Sequence, residues 1–251
     1  MSNDKFRRNL YFYQWDRKYM STAQNSFRIS CSIRNFEYDD DLDDFQKLRN
    51  MGVEVYAYLP VLWKEEGRLS PKELGSHVDG IYIGNIGQIN WGKKTGKPLM
   101  ADAGLNIYNG EAAKFYLNQG FKGTVISYEL DPVEKDFFKV LEADEAYVNA
   151  ELEILRFGRV PAMVSEYCPL AGAEGVKGRS CGKCMEHNPV YLKDGRGERY
   201  PVILDDSRCT SAILSKDSLN RKNSAKVLKG WKNSIQRITV FDESPSFISR
   251  I

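Results

Sequence analysis

Four of the five cysteines lie within one short stretch of the sequence, at a spacing that suits metal coordination. They follow the pattern Cys168-x12-Cys181-x2-Cys184-x24-Cys209. Four thiolates brought together can hold a zinc ion or an iron-sulfur cluster. The segment around the central pair is rich in glycine and charge, and it offers little apolar surface against which four cysteines could pack. The pattern therefore indicates a metal or cluster site, and the spacing alone does not distinguish zinc from iron-sulfur.

Disulfide bonds are the main alternative for these cysteines. Five is an odd number for a closed disulfide framework, and the sequence has no amino-terminal apolar segment of the signal-peptide type. It also lacks a run of about 18 apolar residues that could span a membrane. Reduced cysteines then favour a cytoplasmic protein. The fifth cysteine, Cys31, lies in an alternating stretch far from the others, and we expect it to be a buried, small apolar side chain.

Polar side chains that end or follow predicted strands form a second group that could do chemistry. These residues are Asp102, Asn106, Glu129, Arg159 and Glu166. The carboxyl-terminal edge of the strands is where βα folds bind ligands. Asp102 and Glu129 could bind or polarise a substrate, and the fork of Arg159 matches a carboxylate. Helix capping by Asp102 and Asn106, and a salt bridge of Glu129 to an arginine, are equally good structural interpretations. The catalytic residues are thus undetermined, with Asp102, Glu129, Arg159 and Glu166 as candidates.

Only two histidines could serve as imidazole bases for a nucleophilic peptidase. His187 lies three residues after Cys184, and a cysteine that binds a metal is a poor free nucleophile. His77 precedes a predicted strand, and we expect it to be structural. The sequence also lacks the HExxH helix of zinc peptidases. These residues give little support to proteolysis.

Short β-branched or aromatic runs alternate with longer amphipathic stretches up to Cys168, which is typical of consecutive βα units. Six strands are predicted at Leu10–Trp15, Val53–Leu59, Gly80–Ile83, Leu99–Ala101, Thr124–Ser127 and Leu152–Phe157, the last continuing through Val160–Val164. Helices are predicted at Leu42–Met51, Ile86–Thr95, Gly110–Gln119 and Pro132–Leu141.

A series of βα units can close as a barrel or stay open as a wound sheet. The run GIYIGNIG at 80–87 lacks the G-x-G-x-x-G spacing, so a dinucleotide-binding sheet has little support. About six strands fall short of the eight in a full barrel. We therefore expect an α/β fold with a TIM-like barrel, complete or partial, in residues 1–167.

Residues 168–251 form a second, cysteine-rich region in this interpretation. A β-hairpin is predicted from Val190–Lys193 and Tyr200–Leu204 around a glycine-bearing turn. The hairpin would bring Cys209 back towards Cys184. A helix at Ser224–Trp231 and a strand at Arg237–Phe241 are predicted to close the region.

The net charge of +2 predicts no partner, but its distribution is uneven. Aspartates cluster at 39–44, whereas the end of the chain is basic: Lys216, Arg221, Lys222, Lys226, Lys229, Lys232 and Arg237. A solvated surface is the favoured interpretation of this basic run, and a nucleic-acid surface is the alternative.

Five segments carry a resemblance to a known family. They are GIYIGNIGQ at 80–88, ADAGLNIYN at 101–109, SYELDP at 127–132, FGRVPAMVSEYCPL at 157–170 and YPVILDDSRCTSAILS at 200–215. In this order they resemble the U32 peptidase family, also called collagenase-like proteases, over roughly residues 50–243. The resemblance is to the carboxy-terminal barrel half and cysteine region of the large members, which implies that the chain is part of such an enzyme or is completed by a second barrel half or partner subunit.

Several members of this family are iron-sulfur proteins of oxygen-independent or prephenate-dependent hydroxylation, acting on RNA or a ubiquinone precursor. The resemblance therefore implies a 4Fe-4S cluster on Cys168, Cys181, Cys184 and Cys209, with RNA or another aromatic acceptor as substrate and prephenate as a further candidate ligand for Arg159. Zinc remains the alternative metal. A peptidase with unidentified catalytic residues, and a non-catalytic subunit that binds RNA or a partner, remain the alternative functions.

Overall fold

The strands of the protein form two sheets in a computed structural model. It describes residues 7–63, 69–130, 141, 144–173, 175, 184, 190–205, 208–221 and 231–251. Thirteen strands lie within these residues: β1 Arg7–Phe12, β2 Arg28–Ser32, β3 Glu54–Tyr58, β4 Gly80–Ile83, β5 Leu99–Ala101, β6 Gly123–Val125, β7 Glu151–Gly158, β8 Pro161–Ser165, β9 Val190–Lys193, β10 Arg199–Asp205, β11 Thr210–Leu214, β12 Leu219–Asn220 and β13 Ser234–Val240.

Eight parallel strands close into a complete barrel. Their order is β7-β13-β1-β2-β3-β4-β5-β6, and β6 pairs back onto β7. The short strand β12 adds to β7 from outside the ring, in the antiparallel direction. The TIM-like fold is thus confirmed, and the partial form of it is wrong because the ring closes within this chain. Two strands complete the count: β2, which was not among the predicted strands, and β13, which was assigned to the cysteine-rich region.

Helices and 3-10 turns connect the barrel strands along the first half of the chain. The described α-helices are α1 Met20–Ala23, α2 Asp39–Asn50, α3 Pro71–His77, α4 Ile89–Lys93, α5 Gly110–Asn118, α6 Pro169–Ala173 and α7 Pro245–Ile248. Short 3-10 helices lie at Arg17–Tyr19, Ile33–Glu37, Ile86–Gln88 and Ala103–Leu105. None of the helices in the described ranges is long and apolar enough to cross a membrane.

Local sequence explains where these helices begin and end. Asn109 accepts a hydrogen bond from the backbone of Ala112 and caps α5, which matches its prediction to within one residue. Helix α3, which was not predicted, starts at a capping box between Ser70 and Glu73. Helix α2 begins three residues earlier than predicted because the aspartates of its first turn favour the positive end of the helix dipole. The predicted helices at 132–141 and 224–231 lie almost wholly outside the described residues.

The outward faces of the barrel strands pack against the helices and form the main apolar core. Leu10, Ile29, Val55 and Ile81 alternate with inward-facing residues and are at most 2% exposed. Cys31 belongs to the same layer and is fully buried, as predicted, and burial raises the pKa of its thiol. The hydrophobic effect therefore acts mainly between barrel and helices, which leaves the barrel interior open to polar groups.

A four-stranded antiparallel sheet lies between β7 and β13 in the sequence. Its order is β8-β11-β10-β9, and the predicted hairpin is confirmed as β9 and β10. The predicted continuation of β7 through Val160–Val164 is instead β8, the first strand of this sheet. The chain turns out of the barrel at Gly158, whose φ of +123° is strained for residues with a side chain. We call β8–β11 the cap sheet.

Candidate active site at the barrel mouth

A cavity of about 420 Å³ lies between the carboxyl-terminal mouth of the barrel and the cap sheet. The barrel contributes residues at and beyond the ends of β1, β2, β3 and β5, among them Tyr11, Tyr58 and Asp102. The cap sheet contributes residues of β8, β10 and β11, including Asp205 and Ser211. This is the edge at which βα barrels bind ligands, so the cavity is the candidate active site.

Tyrosines form one wall of the cavity. The rings of Tyr11 and Tyr58 are stacked, with centroids 4.3 Å apart, and Tyr13 meets Tyr11 edge-on at 5.6 Å. The hydroxyl of Tyr13 donates to the carbonyl of Arg159, and that of Tyr58 donates to the carbonyl of Tyr13. Hydrogen bonds at the ring tips and stacking between the rings thus fix the orientation of this wall.

Asp102 lies at the floor of the cavity, directly after β5, and is 5% exposed. Its Oδ1 accepts from the backbone N–H of Ala103 at 2.8 Å and from Nη1 of Arg237 at 2.6 Å. The same Nη1 donates to the hydroxyl of Tyr128 at 3.0 Å. Burial raises the pKa of Tyr128 to about 12, although Arg237 opposes this. The sequence offered capping and ligand binding as alternatives for Asp102, and the structure shows the cap together with a position in the cavity.

Arg237 is fully buried inside the barrel and joins Asp102 to Glu153. Burial alone disfavours a charged guanidinium, but the carboxylates of Asp102 and Glu153 outweigh it and raise the pKa of Arg237. Glu153 in turn accepts from the hydroxyl of Tyr82 and from Nδ2 of Asn9, the latter at 2.9 Å. The carboxylate at the cavity floor is therefore held by a chain of buried groups.

The chain of contacts continues to the opposite end of the barrel. Arg28 donates to Tyr82 at 3.0 Å and to Glu151 at 2.7 Å, and Lys122 lies 3.0 Å from Glu151. Burial favours the neutral form of Glu151, but Arg28 and Lys122 reverse this and lower its pKa. Among the described residues, the interior network has four cationic side chains, Arg7, Arg28, Lys122 and Arg237, and four carboxylates, Glu54, Asp102, Glu151 and Glu153. Its charges cancel, as desolvated ions require.

The other strand-end candidates do not line the cavity. Glu129 and Glu166 are exposed, and Asn106 takes a left-handed conformation and accepts from the hydroxyl of Ser127. Arg159 donates through Nη1 to the backbone carbonyls of Ser215 and Lys216, which directly follow β11, and it is not part of the described lining. Of the four candidate catalytic residues, Asp102 is the one that the structure places in the cavity.

Two of the four clustered cysteines lie at the same end of the cap sheet. Cys168 follows β8 and Cys209 precedes β11, and these strands pair antiparallel with Ser165 opposite Ser211. The hydroxyl of Ser211 also donates to the carbonyl of Tyr167 at 2.8 Å, which keeps the two segments together up to Cys168. None of the four described cysteines is in a disulfide. Cys181 lies outside the described residues, and Cys184 is described without its neighbours.

Within the described ranges no metal site is complete, and no histidine lies beside the cavity. No three His, Cys, Asp or Glu side chains among these residues are placed to share a metal ion. His77 ends α3, before β4, and therefore lies at the amino-terminal end of the barrel, opposite the cavity. His187 lies outside the described residues. The described lining of the cavity contains no histidine.

The sequence analysis missed the residues that hold Asp102 in place. Arg237 was grouped with the basic end of the chain, where a solvated surface was expected. The structure instead buries it fully, as it does Arg28. The available evidence was alternation: Arg237 and Thr239 alternate with the apolar Ile238 and Val240, and Glu151 and Glu153 alternate with Leu152 and Ile154. Alternation in a barrel strand places every second residue in the interior.

The sequence matches one known protein family, and the structure is similar to several solved structures. The model of peptidase family U32 matches residues 7–219. The structure of the U32 peptidase Mk0906 is similar over 98% of this chain and 97% of that chain, with a TM-score of 0.51 and 12% identity. The structure of the spore cortex-lytic enzyme SleL of Bacillus cereus is similar over 96% of this chain and 72% of that chain, with a TM-score of 0.46 and 7% identity. No curated protein matches the sequence.

Proposed function

The chain belongs to peptidase family U32, and from this membership we propose that it is an enzyme that binds a 4Fe-4S cluster and acts in the hydroxylation of RNA or another aromatic acceptor. The ligands would be Cys168, Cys181, Cys184 and Cys209. The acceptor would bind in the cavity at the barrel mouth. The observation that supports the proposal is that Cys168 follows β8 and Cys209 precedes β11, two paired strands that both contribute residues to the lining of that cavity.

The cap sheet links the cysteines to the cavity through short stretches of chain. Thr210 and Ser211 line the cavity, and Cys209 immediately precedes them. Cys209 has a φ of +50°, so a local turn redirects the chain at the point where β11 begins. A cluster bound there would supply electron transfer beside the bound acceptor. Cys168 and Cys209 could share a centre, since paired antiparallel strands bring their ends close.

The residues of the barrel would bind and orient the acceptor. The tyrosine wall offers apolar and polar contact to an aromatic ring. Asp102 presents a carboxylate whose position is fixed by Arg237 and by the backbone of Ala103. Such a preorganised polar group at the floor of an aromatic cavity suits the positioning of a planar substrate.

Anaerobic purification followed by iron, sulfide and zinc analysis tests the proposal. We expect a brown protein with about four irons and four sulfides per chain. Cys168→Ala, Cys181→Ala and Cys209→Ala should each lose the colour and most of the iron. Cys31→Ala is the matched control, because Cys31 is buried between barrel and helices, and it should keep both.

Other results would favour the other functions. A colourless protein with one zinc per chain would contradict the cluster and favour a structural metal. Cleavage of unfolded protein that survives chelation and substitution of all four cysteines would favour the peptidase activity that the family name implies. Iron that remains in Cys181→Ala would remove that residue from the ligand set.

A further inference from the structure

We propose that the barrel-mouth cavity selects an aromatic or amidine group that carries N–H donors and no negative charge, and that Asp102 and Tyr11 are the residues that read it. This inference rests on the proposed function in placing the acceptor in this cavity, and it specifies the chemistry that the acceptor must present. Carboxylate and phosphate groups would stay outside the cavity floor.

Two polar atoms of the cavity lining have no hydrogen-bond partner among the residues that the structure describes. Both hydrogen bonds of the Asp102 carboxylate go to Oδ1, which leaves Oδ2 without one among the described residues. The hydroxyl of Tyr11 likewise has no hydrogen-bond partner within the described ranges, although Tyr11 is only 8% exposed. Neither atom is fully buried, so both are open to the cavity and can accept a hydrogen bond from a ligand or water.

Arg237, which lies outside the described lining of the cavity, fixes the orientation of both Asp102 and Tyr11. The guanidinium of Arg237 lies over the Tyr11 ring, 4.4 Å from its centroid, and the other face of that ring stacks on Tyr58. The same guanidinium holds Oδ1 of Asp102. Arg237 is thus a positioning residue for both Asp102 and Tyr11. A ligand binds more tightly because neither side chain loses conformational freedom on binding.

The charge of the lining favours a donor over an acceptor. The described lining includes four carboxylates, Asp40, Asp41, Asp102 and Asp205, and one arginine, Arg34. Arg237 and Arg208 compensate Asp102 and Asp205 from outside the lining, whereas the helix α2 wall remains acidic. Burial and the neighbouring carboxylates Asp44 and Asp40 raise the pKa of Asp41 despite its hydrogen bond from Asn35. An anion entering this cavity would meet the same repulsion.

Benzamidinium and benzoate form a matched pair of probes, because they share shape and size and differ in the sign of their charge. Each is titrated into the full, anaerobically purified chain, with affinity from calorimetry and the site from the indole N–H signals in NMR. Trp15 lines the cavity, whereas Trp231 donates to the carbonyl of Ala150 at the other end of the barrel. We expect benzamidinium to shift the Trp15 signal and not the Trp231 signal, and to bind at least about tenfold more tightly than benzoate.

Two variants and two controls assign the binding groups. Asp102→Asn should weaken benzamidinium about tenfold, since it removes a charged acceptor, and Tyr11→Phe should weaken it about threefold while keeping the ring. Asp39→Asn and Tyr108→Phe are matched controls on exposed residues outside the described lining, and they should leave the affinity unchanged. If Asp102→Asn does not fold, Tyr11→Phe and the comparison of the two probes decide.

Three results would overturn the inference: benzoate binding as tightly as benzamidinium, neither probe moving the Trp15 signal, or affinities that are equal in Tyr11→Phe and Tyr108→Phe. Failure of the proposed function would look different. A chain without iron that still prefers benzamidinium would contradict the proposed cluster and support the inference about the cavity. An iron-containing chain that prefers benzoate would support the cluster and contradict the inference.

Discussion

Arg237 illustrates how much one buried residue can hold together. It is fully buried, and its guanidinium contacts two carboxylates, the hydroxyl of Tyr128 and the ring of Tyr11. A planar fork suits this role because its donors leave in fixed directions. The interior of this barrel therefore depends on ion pairing where most proteins use apolar packing.

Arg237→Met should lower the free energy of unfolding by about 3–5 kcal/mol, because it leaves the buried carboxylate of Asp102 without its cation and leaves Glu153 with Arg28 alone, at 3.9 Å. Urea denaturation followed by circular dichroism measures the change. Arg196→Met, on the exposed hairpin turn, is the control and should change stability by less than about 0.5 kcal/mol. A similar, small effect of both substitutions would mean that Tyr82 and Asn9 suffice to satisfy Glu153.

For single residues, the sequence correctly predicted which side chains follow the strands, but it did not predict which charged side chains are buried. The position of Asp102 at the end of a strand followed from the pattern of elements, and the structure confirms it. The burial of Arg237 and Arg28 could not be predicted from composition, because a charged residue is normally exposed unless it is paired. Their partners Glu151 and Glu153 are more than 80 residues distant from Arg237 or Arg28 in the sequence.

Two strands were not recognised as members of the barrel, β2 because it was not predicted at all and β13 because its predicted strand at 237–241 was assigned to the cysteine-rich region. Strands β2 and β13 carry polar residues on their inward face, such as Arg28 and Ser30 or Arg237 and Thr239. Buried parallel strands normally appear as continuous apolar runs. In this barrel the interior network takes up the inward positions, so both strands alternate and lack that appearance. Strands β4 and β5, whose residues are mostly apolar on both faces, were predicted to the residue.

Gly158 is the point at which β7 ends and the chain enters the cap sheet, and Gly158→Ala tests that junction. Its φ of +123° is unfavourable for alanine, and an added Cβ would overlap the side chain and backbone of Thr239. We expect a loss of about 1–3 kcal/mol in the free energy of unfolding.

Gly195→Ala is the matched control for this junction, because a Cβ at that hairpin position meets no atom within 4 Å. Its stability should stay within about 0.5 kcal/mol of the original protein. Equal effects of the two substitutions would show that β7 can end without the conformation that only glycine adopts easily.

Across the whole molecule, the cap sheet is an insertion in the sequence between β7 and β13, two barrel strands that pair with each other. Leu219 pairs with Gly158, so the two ends of the insertion lie side by side. Strand β13 then fills the position between β7 and β1. The predicted boundary at residue 167 falls after β8 has already left the barrel, and the last barrel strand comes from the region assigned to the cysteines.

Two deletions should therefore behave differently. Replacing residues 160–217 by Asn-Gly joins β7 to β12 through a short hairpin loop, and we expect a barrel that still unfolds cooperatively on heating. A chain that stops at residue 233 lacks β13 and should show no cooperative transition by circular dichroism. A chain that stops at residue 243, without α7, is the control and should unfold cooperatively. Loss of cooperativity in the first deletion would make the cap sheet part of the barrel's folding unit.

The pairing of β1 with β13 also sets the order of events during synthesis. Residues 7–12 leave the ribosome long before their partners at 235–240, because the two strands lie far apart in the sequence. Until then β1 and β7 each present an unpaired strand edge, and such edges are prone to associate with other chains. The pairing of β1 with β13 is a contact of very high sequence separation, which slows folding. Emergence of β13, rather than of any earlier barrel strand, therefore allows the ring to close.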